Sequence, residues 1–415
     1  MQITVLGAGI VGSAITMDLT QEPEFRVTSV DLSQQALDKL EDAAAVRGIR
    51  ANLREPGRVA SIVADSDLVI CAVPGFMGFE TLKSVIEVGK DVVDVSFFSE
   101  DPFLLDDLAK AKAVTAVVDC GVAPGLCNII AGHVCGLLDQ TDHYMCYVGG
   151  LPQIRQWPFE YKAGFSPVDV LEEYIRPARF REYGQEVIRP ALSEVDLVTF
   201  PEVGSLEAFN TDGLRTLRKT LDIPFMREKT LRYPGHANLM LIFRESGFFS
   251  NTPIDVDGQM VKPIALTSKL LFDQWRPGET EADFTVMQVV IQGQRKRDRL
   301  CYMYYLLDRY DEETKMTSMA RVTGYTCAIV ARQVINGLFT QKGICPPEFI
   351  GDTEGCYENL LAEYVKRNIR LTEKVTEKSE ESIPGDQAFI LDPGHSGGDP
   401  QPPHPGKPRS EDGAP

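Results

Sequence analysis

The sequence predicts an α/β protein: a doubly wound parallel sheet, then a second domain of α+β character. Three observations predict it. Over residues 1 to about 124, short near-continuous apolar runs alternate with amphipathic stretches, as in successive βαβ units. A glycine-rich turn, "GAGIVG", joins the first run to the first helical stretch. After Pro124 the pattern changes to longer strand runs and irregular Gly/Pro-rich segments.

Taken in order, the expected strands of the first part are "ITVL", "RVTSVD", "IRANL", "DLVICAVP", "DVVDVS" and "AVTAVVDCG". Their Val/Ile/Leu content suits strands covered by helices on both faces. The helices between them are "GSAITMDLTQ", "SQQALDKLEDAAA", "EPGRVASIVAD", "MGFETLKSVIEVG" and "DPFLLDDLAKAKA". "PGLCNIIAGHVCGLL" follows as a helix with Pro in its first turn. From Tyr144 to about Asp311, strands such as "FTVMQVVIQGQ" and "RLCYMYYLLDRYD" predict a sheet that is at least partly antiparallel. The Tyr-rich strand suits either an interface or a buried core. "RKRDR" at 295–299 reads as a solvated hairpin turn, since no basic face extends it. "SMARVTGYTCAIVARQVINGLF" is a long helix stopped by the prolines of "GICPPEFIG", and "TEGCYENLLAEYVKRN" is a last amphipathic helix. The expected boundaries are 1–124, 125–315 and 316–370. Residues 371–415, rich in charge, Pro and Gly, are expected to be a disordered tail.

The 415 residues carry a formal net charge of −18, which argues against nucleic acid or an anionic membrane as the main partner. No apolar run reaches the length of a membrane span, and a strand pattern beginning at Gln2 leaves no room for a secretory signal. The nine cysteines are scattered and form no CxxC pair. They read as reduced thiols of a cytoplasmic protein, with no metal site.

Gly7, Gly9 and Gly12 form G-x-G-x-x-G between strand and helix, the fingerprint of a Rossmann dinucleotide site. Gly7 permits the tight turn, Gly9 lets the backbone approach a pyrophosphate, and Gly12 lets the helix pack on the strand. Ile10 and Val11 open that helix, whose N–H groups would face the diphosphate. Asp31 ends the second strand, where a carboxylate bonds the ribose hydroxyls of NAD. No Arg or Lys follows it closely in "DLSQQALDK", which favours NAD over NADP. Val73 and Pro74 are expected on the nicotinamide half of the cleft. Asp94, Ser96 and Asp119 end the next strands and point toward the same crevice; Asp119 suits a catalytic role or a turn cap equally.

"VLGAGIVGSAI", "DVSFF", "DCGVAPGLCNIIA", "YKAGFSPVDVLEEYIRPA", "LEAFNTDGLRTL", "LRYPGHA", "VDGQMVKP", "MARVTGYTCAIVARQVINGLF" and "GICPPEFI" occur in this order. In these segments the chain resembles the saccharopine dehydrogenase superfamily over about residues 1–352, and within it the lysine 6-dehydrogenases most. The resemblance implies NAD-dependent oxidative deamination of the lysine ε-amine, giving a semialdehyde that cyclises to a piperideine carboxylate. It also implies that the second domain, a substrate and dimer domain, is inserted before a C-terminal helix that returns to the Rossmann domain. Two departures stand out. Where saccharopine-forming reductases have "DPG", this chain has Ala123-Pro124-Gly125. Where they carry "NRDS", with an Arg that clamps a carboxylate, it reads Asn210-Thr211-Asp212-Gly213. Loss of an Arg fork fits a smaller, less acidic substrate. Saccharopine and carboxynorspermidine-type dehydrogenases are the alternative enzymes, and a non-catalytic NAD sensor is the alternative class.

Amine oxidation needs a base and a grip on the amino-acid end. His236, after a Gly at a helix start, is a candidate base or a helix cap. Lys162 and Ser166 lie in a Gly/Pro loop that suits the site; Ser166 suits substrate binding, and Lys162 suits a catalytic role that holds a carboxylate, or a solvated lysine. Arg232 suits a substrate carboxylate or a surface acid. Asn210 and Thr211 suit the substrate amines, although Thr211 and Asp212 equally suit a helix cap. Glu173 and Tyr174 suit the same pocket, with Glu173 more readily a helix-face charge. The expected partner is a small amino-acid substrate, and the expected assembly a homodimer.

Overall fold

The structure is a computed structural model and describes residues 1–164, 167–278 and 281–377. The first part contains β1 (Gln2–Leu6), α1 (Ile10–Leu19), β2 (Arg26–Asp31), α2 (Gln34–Ala43), β3 (Val46–Arg50), α3 (Arg58–Val63), β4 (Leu68–Cys71), α4 (Gly75–Val88), β5 (Asp91–Asp94), α5 (Asp106–Ala111) and β6 (Thr115–Val117). The middle contains α6 (Leu126–Leu137), β7 (Gln140–Pro152), α7 (Pro167–Ile175), β8 (Ala178–Glu182), β9 (Gln185–Arg189), β10 (Asp196–Phe200), β11 (Gly204–Asn210), α8 (Leu217–Thr220), β12 (Phe225–Arg232), α9 (His236–Glu245), β13 (Ile254–Val256), β14 (Gln259–Val261), α10 (Pro263–Trp275), β15 (Asp283–Arg295) and β16 (Asp298–Arg309). The chain closes with α11 (Ser318–Ile335), β17 (Gly343–Cys345), α12 (Pro347–Asp352), α13 (Cys356–Lys366) and β18 (Leu371–Glu377).

The six apolar runs become six strands of a parallel sheet ordered β17-β6-β5-β4-β1-β2-β3. The chain moves outward through β2 and β3, then crosses back to β4, which opens a crevice beyond the carboxyl ends of β1 and β4. β17 was not foreseen: its three residues lie in a segment that reads only as a helix stop. They are buried against β6, because an edge strand needs only a few apolar residues when a neighbour supplies the ladder.

The second sheet is mixed, as expected. Its order is β10-β11-β12-β7-β15-β16-β18, with only β12 and β7 parallel, and β8 and β9 attached beside β12. The basic pentamer turns the β15–β16 hairpin, where Arg295 pairs with Asp298. In the Tyr-rich strand β16, Tyr302 and Tyr304 are buried, so this is a core strand. Its other neighbour is β18, which corrects the expected tail: residues 371–377 pair antiparallel with β16, because Leu371 and the alternation after it match that edge. The rest of that tail, 378–415, lies outside the described residues.

α11 returns to the first sheet. Gly324 lets it approach α1 so closely that a Cβ there would stand 3.0 Å from the Ala14 side chain. Arg332 on α11 and Arg367 after α13 both bind Asp18 on α1. One continuous apolar core runs from β1, β4 and β5 through α11 and α6 to β7, β15 and β16. All nine cysteines are free, and eight are buried. Among the described residues, no helix is long and apolar enough to cross a membrane.

Candidate active site

A cleft of about 740 Å³ runs from the glycine turn, across the carboxyl ends of the parallel strands, to α7 and β12 of the second domain. Gly7, Gly9, Ile10, Val11, Gly12, Asp31, Val73 and Pro74 all line it. Gly7 has φ +113°, and a Cβ there would lie 2.2 Å from the Ala72 carbonyl oxygen. A Cβ on Gly12 would lie 2.1 Å from the Gly7 oxygen, so this glycine permits the helix–turn contact. A Cβ on Gly9, in contrast, meets no protein atom within 4 Å and projects into open space. No side chain caps α1, so its first N–H groups have no intrahelical partner. A backbone cradle with free donors, open only at Gly9, fits a dinucleotide pyrophosphate.

Asp31 accepts from the Ala8 N–H at 2.7 Å and from the Ser33 N–H at 2.8 Å, which fixes its carboxylate at the rim. Cations reach this end of the cleft from outside the stretch that follows Asp31. Arg54 also lines this end of the cleft, with its guanidinium 5.9 Å from the Phe76 ring centre, and Arg50 pairs opposite Asp31 on β3. Both come from the next strand and the loop after it, so a search of the residues following Asp31 does not find them.

At the middle of the cleft, Ser96 donates to Asp94 at 2.8 Å. Burial raises the Asp94 carboxyl well above its ordinary range, and Asp94 itself sits behind the wall. Asp119 lines the cleft but is not a free base. Arg215, from the loop after β11, grips it with Nε at 3.1 Å and Nη2 at 2.9 Å and also donates to the Phe98 carbonyl. Both residues hold left-handed backbone, φ +54° and +49°, so the pair pins two strained turns of different domains together. A second tie is Asp169 on α7, whose carboxylate accepts from the Gly75 N–H at 3.2 Å, where α4 begins without a side-chain cap of its own.

The second domain's wall comes from one face of β12. Glu228, Thr230 and Arg232 alternate along it and all reach the cleft. Arg232 sits 4.5 Å over the Tyr161 ring and donates to Glu173 at 2.8 Å, to the Leu231 carbonyl at 2.9 Å and to Tyr174 Oη at 3.4 Å. His236 stands behind this group, off the cleft. Its Nδ1 faces the Phe159 carbonyl at 2.9 Å and must donate there, so Nε2 accepts from Tyr174 Oη at 2.9 Å. Burial, aided by the Arg232 charge, pushes its pKa down to about 3. His236 is therefore a neutral prop for Tyr174 and Arg232, not a base at the reacting centre.

Three more expectations are corrected. Lys162 lies outside the cleft, donating to the Gln274 carbonyl at 3.0 Å beside Glu281. Asn210 is buried and holds the Ser193 turn through Nδ2. Asp212 lines the cleft but is clamped by Arg179. Ser166 lies outside the described residues. Thr211 does line the cleft, and its hydroxyl bonds Glu228 and Thr230, both at 2.8 Å.

Glu228 is the residue that sequence reading missed. Burial, reinforced by Glu173 and Asp212, pushes its pKa up to about 8 in spite of the Thr211 bond. Gly213 makes room for it: a Cβ there would sit 2.2 Å from Glu228 Oε2. The available signal was the period-two spacing in "REKTLR", which puts Glu228 on the same face as Arg232. A buried carboxyl on a cleft wall that titrates near neutrality can take or give a proton during turnover.

Family models match nearly the whole described chain: residues 3–117 the saccharopine dehydrogenase NADP binding domain, and 121–369 the saccharopine dehydrogenase C-terminal domain. The mitochondrial alpha-aminoadipic semialdehyde synthase of Bos taurus is 24% identical over 264 residues, 60% of this chain and 28% of that protein. This chain thus spans little more than a quarter of the synthase's length. Saccharopine dehydrogenase (NADP(+), L-glutamate-forming) of Schizosaccharomyces pombe is 22% identical over 464 residues, 91% of this chain and 99% of that one. The apo saccharopine dehydrogenase (L-Glu forming) structure from Saccharomyces cerevisiae superposes with TM-score 0.73 at 18% identity, over 90% of this chain and 99% of that one.

Proposed function

Because the chain belongs to the saccharopine dehydrogenase family, we propose that it is an NAD(P)-dependent oxidoreductase acting on the CH–NH group of an amino-acid amine. L-Lysine, oxidised at its ε-amine, is our first substrate. The observation that carries this reading is Glu228, a buried carboxyl with pKa about 8 on the wall of the same cleft that holds the dinucleotide cradle.

A nicotinamide, when bound, supplies the hydride acceptor. The protein's own residues do the rest. Glu228, once ionised, accepts a proton from the substrate ammonium, leaving the neutral amine that hydride loss requires. Thr211 holds the Glu228 carboxyl by its hydroxyl, and Thr230 braces Thr211. The two inter-domain ties, Asp119–Arg215 and Asp169–Gly75, hold the amine wall against the cofactor wall. Glu172, together with Glu228 once ionised, favours a cationic amine.

Saccharopine is the second reading. The named relatives support it, while the acidic wall favours a substrate with fewer carboxylates. For the cofactor, Asp31 supports NAD and Arg54 supports tolerance of a 2′-phosphate. The test is NAD(P)H formation from lysine, saccharopine and ornithine, with identification of the product. Lysine turnover that yields a piperideine carboxylate supports the first reading. Saccharopine turnover alone replaces it, and no turnover on any amine ends the enzyme reading.

A further inference from the structure

Resting on the amine-oxidation reading above, we propose that Arg176 is the anchor for the carboxylate of the amine substrate, and that the cleft takes amines bearing a single carboxylate. Among the described residues lining the cavity, the cations are Arg54, Arg176 and Arg232. Arg54 belongs to the Phe76 end. Arg232 already pairs with an acid, donating to Glu173 as well as to Tyr174 and its own strand.

Arg176 differs. It follows the last turn of α7 and lies flat on Phe97, 4.8 Å from the ring centre. Its side chain is 13% exposed, and its nearest acid, Glu172, stands 3.8 Å away, beyond hydrogen-bond reach. Its Nη1 is buried with no partner. A buried guanidinium N–H left unpaired is costly and needs an explanation. Glu172 and Asp212 attract the charge from nearby, but neither bonds Nη1. Arg215 stacks on the same Phe97 ring, 5.0 Å from its centre, and takes Asp119 for itself. Burial, and then repulsion between the two guanidiniums, lowers the Arg176 pKa against the pull of Glu172 and Asp212. The result is a planar cation with no acid bonded to it, at the wall shared by both domains. A carboxylate matches that fork in shape and charge. A second carboxylate nearby would face Glu172 and Glu173 on the same helix, a wall that suits a substrate amine better.

The experiment compares L-lysine with 1,5-diaminopentane, which keeps both amines and lacks the carboxylate. Calorimetric binding to the NADH-loaded protein is measured for wild type, R176Q and R176K, with turnover assayed in parallel. Wild type is expected to bind lysine roughly 10- to 100-fold more tightly than the diamine, the fold-change of a hydrogen bond to a charged group. R176Q should erase that preference while leaving diamine affinity and the melting temperature unreduced. R176K, a point charge without the fork, should keep part of it. Equal weakening of both amines in R176Q, or no wild-type preference for lysine, overturns the anchor. An Arg176-dependent preference without NADH formation upholds the anchor and removes the oxidation reading. Lysine turnover with the preference intact in R176Q does the reverse.

Discussion

The Thr211 hydroxyl donates to the Glu228 carboxyl at 2.8 Å, across the junction of β11 and β12. A neutral hydroxyl stabilises the ionised carboxyl far less than a cation does, so the buried acid keeps its raised pKa of about 8. Glu228→Gln should therefore lower kcat for amine oxidation by roughly 10²–10⁴-fold, the usual worth of a positioned base. In wild type, kcat/KM should rise with pH through about 8, as Glu228 ionises. Loss of that limb in the variant supports the assignment; an unchanged profile removes Glu228 from the chemistry.

The same group sets a stability slope. Its folded pKa lies above the ordinary 4.5, so between pH 4.5 and about 8 the native state holds a proton that the unfolded chain releases. Stability contributed by the neutral carboxyl is thus lost as pH rises through that window. Glu228→Gln stays neutral, so its melting temperature relative to wild type should climb between pH 5 and pH 9. A flat difference would show that Glu228 is not buried neutral.

His236 carries the opposite sign. Its pKa is pushed down to about 3, so the unfolded chain takes up a proton below pH 6.5 that the native state refuses. Native protein should lose stability on acidification below 6.5, and the His236 ring resonances should stay constant from pH 5 to 8. His236→Asn, which loses the bond to Tyr174, should raise the substrate KM more than it lowers kcat. A loss of kcat matching that of Glu228→Gln would return His236 to the reacting centre.

The glycines separate cofactor contact from packing. Gly9→Ala adds a methyl that meets no protein atom, so melting should be unchanged while dinucleotide affinity falls. Gly12→Ala drives a methyl to 2.1 Å from the Gly7 oxygen and should cost about 1–3 kcal/mol of stability. Equal dinucleotide affinity in Gly9→Ala and wild type would mean that nothing binds against that turn.

At the adenine end, Asp31→Ser removes the rim carboxylate and leaves Arg54. The ratio of NADP to NAD efficiency should increase, read from kcat/KM with each cofactor. A ratio that does not move would leave cofactor choice to residues other than Asp31.

Local patterning made the first domain legible. Alternating runs and a glycine turn are short-range signals, and each βα unit repeats them. The walls of the cleft were legible wherever a strand's end fixes a residue's position, as with Asp31, Val73, Ser96 and Asp119. What Asp119 does there was not legible, since its partner Arg215 is 96 residues away. The same long range hid the roles of His236 and Lys162: loops and helix starts look functional until their neighbours are known. Glu228 and Arg176 were overlooked for a related reason. Raised pKa and an unpaired donor are products of burial, and burial belongs to the packed chain rather than to any short stretch of it.

β17 has a consequence for biosynthesis. The parallel sheet is built from residues 2–117 and closed by 343–345, with more than two hundred residues between them. While the ribosome is still making the middle of the chain, β6 presents an open, apolar edge, and α1 lacks the helix that later covers it. The Rossmann half, though it precedes the second domain in the chain, is thus finished only after that domain has been made.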